Sequence, residues 1–208
     1  MEINYGKTRS KGRLIYMDPI NIIIGFNIIA TFGANMGGAK KGFKSTITTF
    51  KEKPKTYLQK LPLVISVATL LILIISIFQI GTLTYSASLM SLRLTGLIVY
   101  LVFSWLQIWS FKSLGENYSQ EVLIFRHHKL ITSGPFKFIR HPQYLAQILM
   151  DLGAGFATLS YIIIPLALFE IPILILRASL EEKLLEKNFK SSFTDYKKKS
   201  GFMIPFIG

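Results

Sequence analysis

Apolar residues in this chain are gathered into long runs rather than spread singly at the spacing of a half-buried helix. Residues 62–80 read PLVISVATLLILIISIFQI without a single charge, and about 20 helical residues cross a bilayer core. Residues 94–111, LTGLIVYLVFSWLQIWSF, predict a second span, with Trp105 and Trp109 toward one end as interfacial anchors. Residues 142–177 are too long for one span and hold Gly153, Gly155, Ser160 and Pro165 in their middle. They predict a helical hairpin turning near residues 157–161. Residues 20–36 predict a further span, interrupted by Asn21, Asn27 and Asn35, with Gly33 and Gly37 at a spacing that lets two helices approach closely. Beyond the hairpin, Leu180, Leu184 and Leu185 recur at helical spacing, so residues 178–199 predict a helix, which an amphipathic one at the membrane surface would satisfy. The expectation is an all-α integral membrane protein of about five transmembrane helices, ending in a C-terminal helical hairpin.

Charge orients this arrangement. The 208 residues carry a formal net charge of +13, concentrated between the apolar runs. Seven lysines fall in residues 37–61. Lys112, Arg126, Lys129, Lys137 and Arg140 occupy the 112–141 loop, and Lys183, Lys187, Lys190 and Lys197 to Lys199 the tail. Five spans put these three segments on one side, which the positive-inside rule makes cytoplasmic. The basic N-terminus (Lys7, Arg9, Lys11, Arg13) then lies outside, against the rule. It lacks the cleavage pattern of a signal peptide. Basic residues so placed meet anionic headgroups, and the fold motifs of nucleic-acid binding are absent. With no cysteine, disulfides, thiolate nucleophiles and cysteine metal sites are excluded. The chain divides into an N-terminal basic segment, 1–61, with one span and a cytoplasmic loop, and a membrane core, 62–208.

The densest chemistry is HHKLITSGPFKFIRHPQY, His127 to Tyr144, which holds all three histidines. Ser133-Gly134-Pro135 is a turn signal. Pro142 suits the first position of a helix, which puts His141 near the N-cap. The first-turn N–H groups, with Arg140 and Lys137, then favour an anion. A basic loop that only touches headgroups fits the same residues. Histidine spacing of the HxxH or HxxxH kind is missing, so no metal is expected. A second cluster, RASLEE from Arg177 to Glu182, starts where the last span ends, with Arg177 and Glu181 on one helix face. Both clusters lie at the same ends of the hairpin helices. Within the hairpin sit two acids, Asp151 and Glu170, whose cost in a span implies a partner or a cavity. Glu170, seven residues before Arg177, suits a pair with it or a pocket wall.

Gly134-Pro135-Phe136, Arg140-His141-Pro142-Gln143-Tyr144, Arg177 with Glu181-Glu182, then Phe189, Tyr196 and Pro205 together resemble the isoprenylcysteine carboxyl methyltransferase family, related to membrane phospholipid methyltransferases. The resemblance covers about residues 112–208 and opens at Leu114-Gly115-Glu116-Asn117-Tyr118-Ser119. It implies an S-adenosyl-L-methionine pocket, open to the cytosol, formed by the loop and the hairpin ends. The positions matching cofactor contacts are His128, Lys129, Leu130, Ile131, Phe136, His141, Pro142, Gln143, Tyr144 and Glu181, with a further contact near Gln120 or Glu121. Arg177 matches an arginine on the acceptor side, and Arg177, Glu181 and Glu182 form the implied catalytic group. The chain departs from the pattern at Phe136, where tyrosine is usual, and at Leu145-Ala146-Gln147, where a small glycine position is common.

The implied reaction is O-methylation of the carboxylate of an isoprenylcysteine-like lipophilic acceptor that reaches the site from the bilayer. N-methylation of an ethanolamine phospholipid, with Glu182 or His128 as base, and S-methylation of a small thiol are the alternatives. Outside this class stand a non-catalytic membrane protein of the same fold and an NADPH-dependent membrane reductase.

Overall fold

The computed structural model describes residues 18–46, 50–205 and 207, with residues 35–46 described by their backbone alone. The N-terminal Lys7, Arg9, Lys11 and Arg13 lie outside the described residues, as do the surroundings of Gly37. Six α-helices dominate the described residues: α1 (Pro19–Thr46), α2 (Leu61–Ile77), α3 (Met90–Leu114), α4 (Pro142–Thr158), α5 (Ile163–Phe189) and α6 (Ser191–Lys197). Two short strands, β1 (Phe50–Glu52) and β2 (Ile124–Phe125), pair antiparallel.

The helices are apolar on the outside. On α2, Val64, Val67, Leu71 and Ile75 are all exposed, while Thr69 and Ser76 are buried. Such a face is a liability in water and an asset in hydrocarbon. Three helical stretches, Tyr57–Ile77, Ala87–Asn117 and Ile163–Phe189, are long and apolar enough to cross a membrane. The molecule is an integral membrane protein. Of the five expected spans, the other two are shorter. The apolar part of α1 runs Pro19–Ala34. α4 has 17 residues and carries Gln143, Gln147 and Asp151. It tolerates them because it packs inside the bundle, with Ala146, Ala154 and Ala157 wholly buried.

Glycine makes the closest helix contact. A Cβ on Gly96 of α3 would stand 2.6 Å from the Ala157 nitrogen, and one on Gly153 of α4 would stand 2.6 Å from the Tyr100 nitrogen. The two backbones therefore touch, and no side chain fits between them. At Gly33 a Cβ meets nothing within 4 Å among the described residues, and Gly37, its partner in the spacing, lies outside them.

The hairpin forms as its sequence predicts. α4 ends at Thr158, Leu159 takes a left-handed conformation (φ 53°), and α5 begins at Ile163. The tail is helical, as expected. α5 runs without a break through Pro172 and Arg177 to Phe189 and stops at Lys190 (φ 47°), after which α6 begins. Residues 178–189 continue the last long helix, because no glycine or proline interrupts the chain from Ile173 to Phe189.

One end of the bundle is closed by a buried ion pair. Arg93, 1% exposed, donates to both Asp18 oxygens (3.0 and 2.6 Å) and to the Ala157 carbonyl (2.9 Å). Burial alone would raise the Asp18 pKa, but the hydrogen bonds and charge of Arg93 outweigh it and hold the pKa below its ordinary value. The other end gathers the basic segments. β1 pairs with β2, Lys53 meets Glu121 at 2.6 Å, and Lys187 meets Glu52 at 2.7 Å.

Candidate functional site

At this basic end lies a cavity of about 310 Å3. That is within the size range of small-molecule sites, roughly 300–1,000 Å3. Its walls come from separate parts of the chain. The loop after α3 supplies Glu121, His128, Lys129, Leu130 and Ile131, and the Gly-Pro turn supplies Phe136. The start of α4 gives His141, Gln143 and Tyr144, and α5 gives Arg177 and Glu181. Two expected residues do not line it: Pro142 and Glu182. Pro142 starts α4, with His141 at the N-cap.

The returning C-terminus fixes this start. The Arg140 N–H donates to the Gly201 carbonyl (2.8 Å) and the His141 N–H to Phe202 (3.1 Å), while the Gly201 N–H donates to Phe138 (3.0 Å). Beneath it lies an ion-pair cluster. Glu182 accepts from Arg140 Nε at 2.5 Å, faces His141 Nε2 at 3.3 Å, and pairs with Lys197 at 3.1 Å. Arg140 also donates to the Lys197 and Ser200 carbonyls. A carboxylate held by three basic groups is a support for His141, and it stands off the cavity wall.

Tyr144 joins the cavity's two charges. Its hydroxyl donates to Glu181 and accepts from Arg177 Nε at 2.8 Å. Arg177 and Glu181 are themselves 3.8 Å apart. The remaining Arg177 nitrogens donate to the Leu58 carbonyl (3.1 Å) and the Gln120 carbonyl. Arg177 thereby ties the turn before α2 and the loop before β2 to α5. It does not pair with Glu170, which faces Asp151 instead.

Three side-chain atoms on this wall are buried without a hydrogen-bond partner: His128 Nδ1, His141 Nδ1 and Gln143 Oε1. A native interior leaves few such atoms, and each calls for a ligand, water or strain to explain it. With Nε2 turned to Glu182, Nδ1 is the His141 atom left toward the cavity. Nδ1 stands 3.7 Å from Glu181 Oε2. Burial draws the His128 pKa down to about 4, so it is neutral at pH 7. His128 lies beside Phe125 and Phe189, with ring centroids at 5.9 and 6.0 Å. The His141 ring stacks with Tyr144 at 5.8 Å. Tyr196 holds the Phe136 carbonyl at 2.6 Å, and burial raises its pKa to about 12.

Several lining residues were not among those expected. Tyr118 packs on Phe111 (4.7 Å), and Asn117 accepts the Lys129 N–H at 2.8 Å, holding that strand of the wall. Gln107, Gln147 and Ser66 line the deep end, among the helices. Polar side chains inside apolar runs were a readable signal for the two glutamines, just as for Asp151 and Glu170. Among the described residues no group of three or more metal-ligating acids or histidines occurs.

The fold and site define a helical integral membrane protein with a largely apolar cavity, set with a few polar side chains, at one end of its bundle. Residues 94–187 match the sequence model of the isoprenylcysteine carboxyl methyltransferase (ICMT) family. This stretch holds most of the cavity wall. In three dimensions the chain is similar to the eukaryotic intramembrane Ras methyltransferase ICMT, solved without a monobody. The TM-score is 0.62 at 20% identity, covering 93% of this chain and 70% of that one. At that identity the likeness establishes the fold. No curated protein matches the chain by sequence.

Proposed function

We propose that this chain is an S-adenosyl-L-methionine-dependent methyltransferase that O-methylates the carboxylate of an isoprenylcysteine-like lipophilic acceptor. In this reading the protein is multi-pass, and its cavity faces the cytoplasm and takes the cofactor. The observation that carries the reading is the wall itself. Three buried polar atoms without partners, a carboxylate and aromatic rings converge on one cavity within the family-matched stretch. S-adenosyl-L-methionine presents a carboxylate, an ammonium, an adenine and a sulfonium methyl, and donor, acceptor and aromatic partners for each are present.

The chain's own residues do the positioning. Glu181, steadied by the Tyr144 hydroxyl, attracts the cationic end of the cofactor. His141 and Gln143 offer polar atoms beside it, and Phe136 and Tyr144 pack against flat or cationic groups. Methyl transfer from a sulfonium is an in-line displacement whose chief demand is alignment in a site that excludes water. A carboxylate acceptor is already nucleophilic and needs no base. Glu182, held by Arg140, His141 and Lys197, accordingly acts as a positioning residue. Arg177 contributes its charge to the acceptor, with its fork engaged by two carbonyls and Tyr144.

The test is calorimetric binding of S-adenosylhomocysteine in detergent by wild type, His141→Ala and Glu181→Gln, followed by methyl transfer to a prenylated cysteine carboxylate. Wild type binds, and each variant weakens binding at least about tenfold while melting as wild type does, the scale of one charge-assisted hydrogen bond. A folded wild type that binds nothing would sink the cofactor assignment. Binding without transfer would sink only the acceptor.

A further inference from the structure

Four polar residues lie deep among the apolar helices. Gln107 Nε2 of α3 donates to Gln147 Oε1 of α4 at 2.5 Å, and Gln147 Nε2 donates to Asp151 Oδ2 at 2.6 Å. Glu170 of α5 is wholly buried and stands beside Asp151 and Ser66. Among the described residues no lysine or arginine bonds to either acid. The three buried arginines of the described residues are committed elsewhere, Arg93 to Asp18 and Ala157, Arg140 to Glu182, and Arg177 to Leu58, Gln120 and Tyr144. Ionisable groups within membrane helices are costly and mark sites where a ligand or partner meets them.

The relay has a direction. A carboxylate accepts only, so Asp151 turns the Gln147 nitrogen toward itself and the Gln147 oxygen toward Gln107. That oxygen takes the Gln107 nitrogen and leaves Gln107 Oε1 as the open end. Both glutamines line the deep end of the cavity, with Ser66. Among the described residues nothing donates to Gln107 Oε1. The deep end therefore presents an acceptor, with two acids behind it.

We infer that the Gln107–Gln147–Asp151 relay, backed by Glu170, is a specificity site for a protonated amine on the lipophilic methyl acceptor. The inference rests on the proposed reading that the acceptor shares this cavity. An ammonium N–H satisfies the open Gln107 oxygen, which a group without an N–H or O–H leaves unpaired. Arg177 stands on the same cavity's wall with its positive charge. An acceptor carrying both a carboxylate and an amine thus finds a complement for each, and the amine sets its orientation.

Binding rather than turnover tests this. Protein in detergent with saturating S-adenosylhomocysteine is titrated with dodecylammonium and, separately, dodecyltrimethylammonium. The two share chain and charge, and only the first has N–H donors. Fluorescence of Trp105 and Trp109 on α3 reports binding. Wild type is expected to bind dodecylammonium about tenfold more tightly, equivalent to about 1.4 kcal/mol. Asp151→Asn, whose amide can reverse the relay, and Gln107→Leu, which removes its open end, should bring the two ligands within about twofold. Both changes keep side-chain volume, and either folded variant decides the matter. Equal affinities in wild type, no binding of either ligand, or a preference that survives substitution would overturn the inference. S-adenosylhomocysteine affinity in the same samples separates the two claims. If it holds while the amine preference is absent, only the relay falls. If it is absent while the preference persists, the cofactor reading falls and the relay stands.

Discussion

Tyr144 links opposite charges at the centre of the cavity. Its hydroxyl donates to Glu181 and receives Arg177 Nε, and its ring stacks with His141. Without that hydroxyl, Arg177 and Glu181, now 3.8 Å apart, would close into a direct pair and draw Glu181 away from the cavity. Tyr144→Phe keeps the ring and its packing. It is expected to weaken S-adenosylhomocysteine binding about tenfold and to lower stability by only about 1 kcal/mol, the net worth of a hydrogen bond. Calorimetry beside thermal melting in detergent checks both. Unchanged affinity would mean that Glu181 is already oriented by its own helix. Glu182 shows the reverse case at the same scale. Adjacent in sequence to Glu181, it points to Arg140, His141 and Lys197. Consecutive positions on a helix point about 100° apart, so two neighbouring acids that look equivalent in the sequence serve the wall and its foundation respectively.

Among the elements, α3 and α4 depend on having no side chain where they cross. Gly153→Ala places a Cβ 2.6 Å from the Tyr100 nitrogen and 2.8 Å from the Gly96 carbonyl. Backbone cannot yield as a side chain end can, so the helices must part, at a cost of roughly 1–3 kcal/mol. Gly33→Ala meets nothing within 4 Å and should be neutral or gain up to about 1 kcal/mol of helix propensity. Melting temperatures of the two variants in the same detergent decide this, and equal loss in both would refute the crossing. The contrast also marks what was legible in the sequence. Pro142 at the start of α4, the turn after Thr158 and the converging loop residues His128 to Ile131 are local or motif-borne, and local chemistry is readable along the chain. Which glycine pair meets is a tertiary matter, and no spacing along the chain marks Gly96 and Gly153 as the pair. Charge replaces apolarity at Arg177 while helix propensity continues to Phe189, so the tail helix was legible in its leucine spacing. Gln107 and Gln147 stand out singly as polar residues in apolar runs, but their spacing along the chain does not show that they join one relay. Only the bundle brings them into line with Asp151.

At the scale of the whole molecule, the helices turn apolar side chains outward and bury several polar ones, and apart from Asp151 and Glu170 the charges gather toward the two ends. The two ends differ in kind. Around Asp18 and Arg93 a single buried pair closes the bundle. Around the cavity, three basic segments are bound together by the β1–β2 pairing, Lys53–Glu121 and Lys187–Glu52. A membrane with an anionic cytoplasmic leaflet distinguishes such ends, because lysine and arginine near a span are retained on the cytoplasmic side. Under the proposed reading the cavity opens to the cytoplasm, where a soluble cofactor is made, while the apolar helices stay in reach of a lipophilic acceptor. The chain contains no cysteine, so a single introduced thiol reports its own side without background. Ser88→Cys lies just before α3 at the end closed by Arg93, and Lys183→Cys lies at the cavity end, both at exposed positions. In intact cells a membrane-impermeant maleimide should label Ser88→Cys, and it should label Lys183→Cys only after permeabilisation. The reverse pattern would place the cavity outside, where the cofactor is not supplied, and would count against the proposed reaction more strongly than any single substitution in the cavity wall.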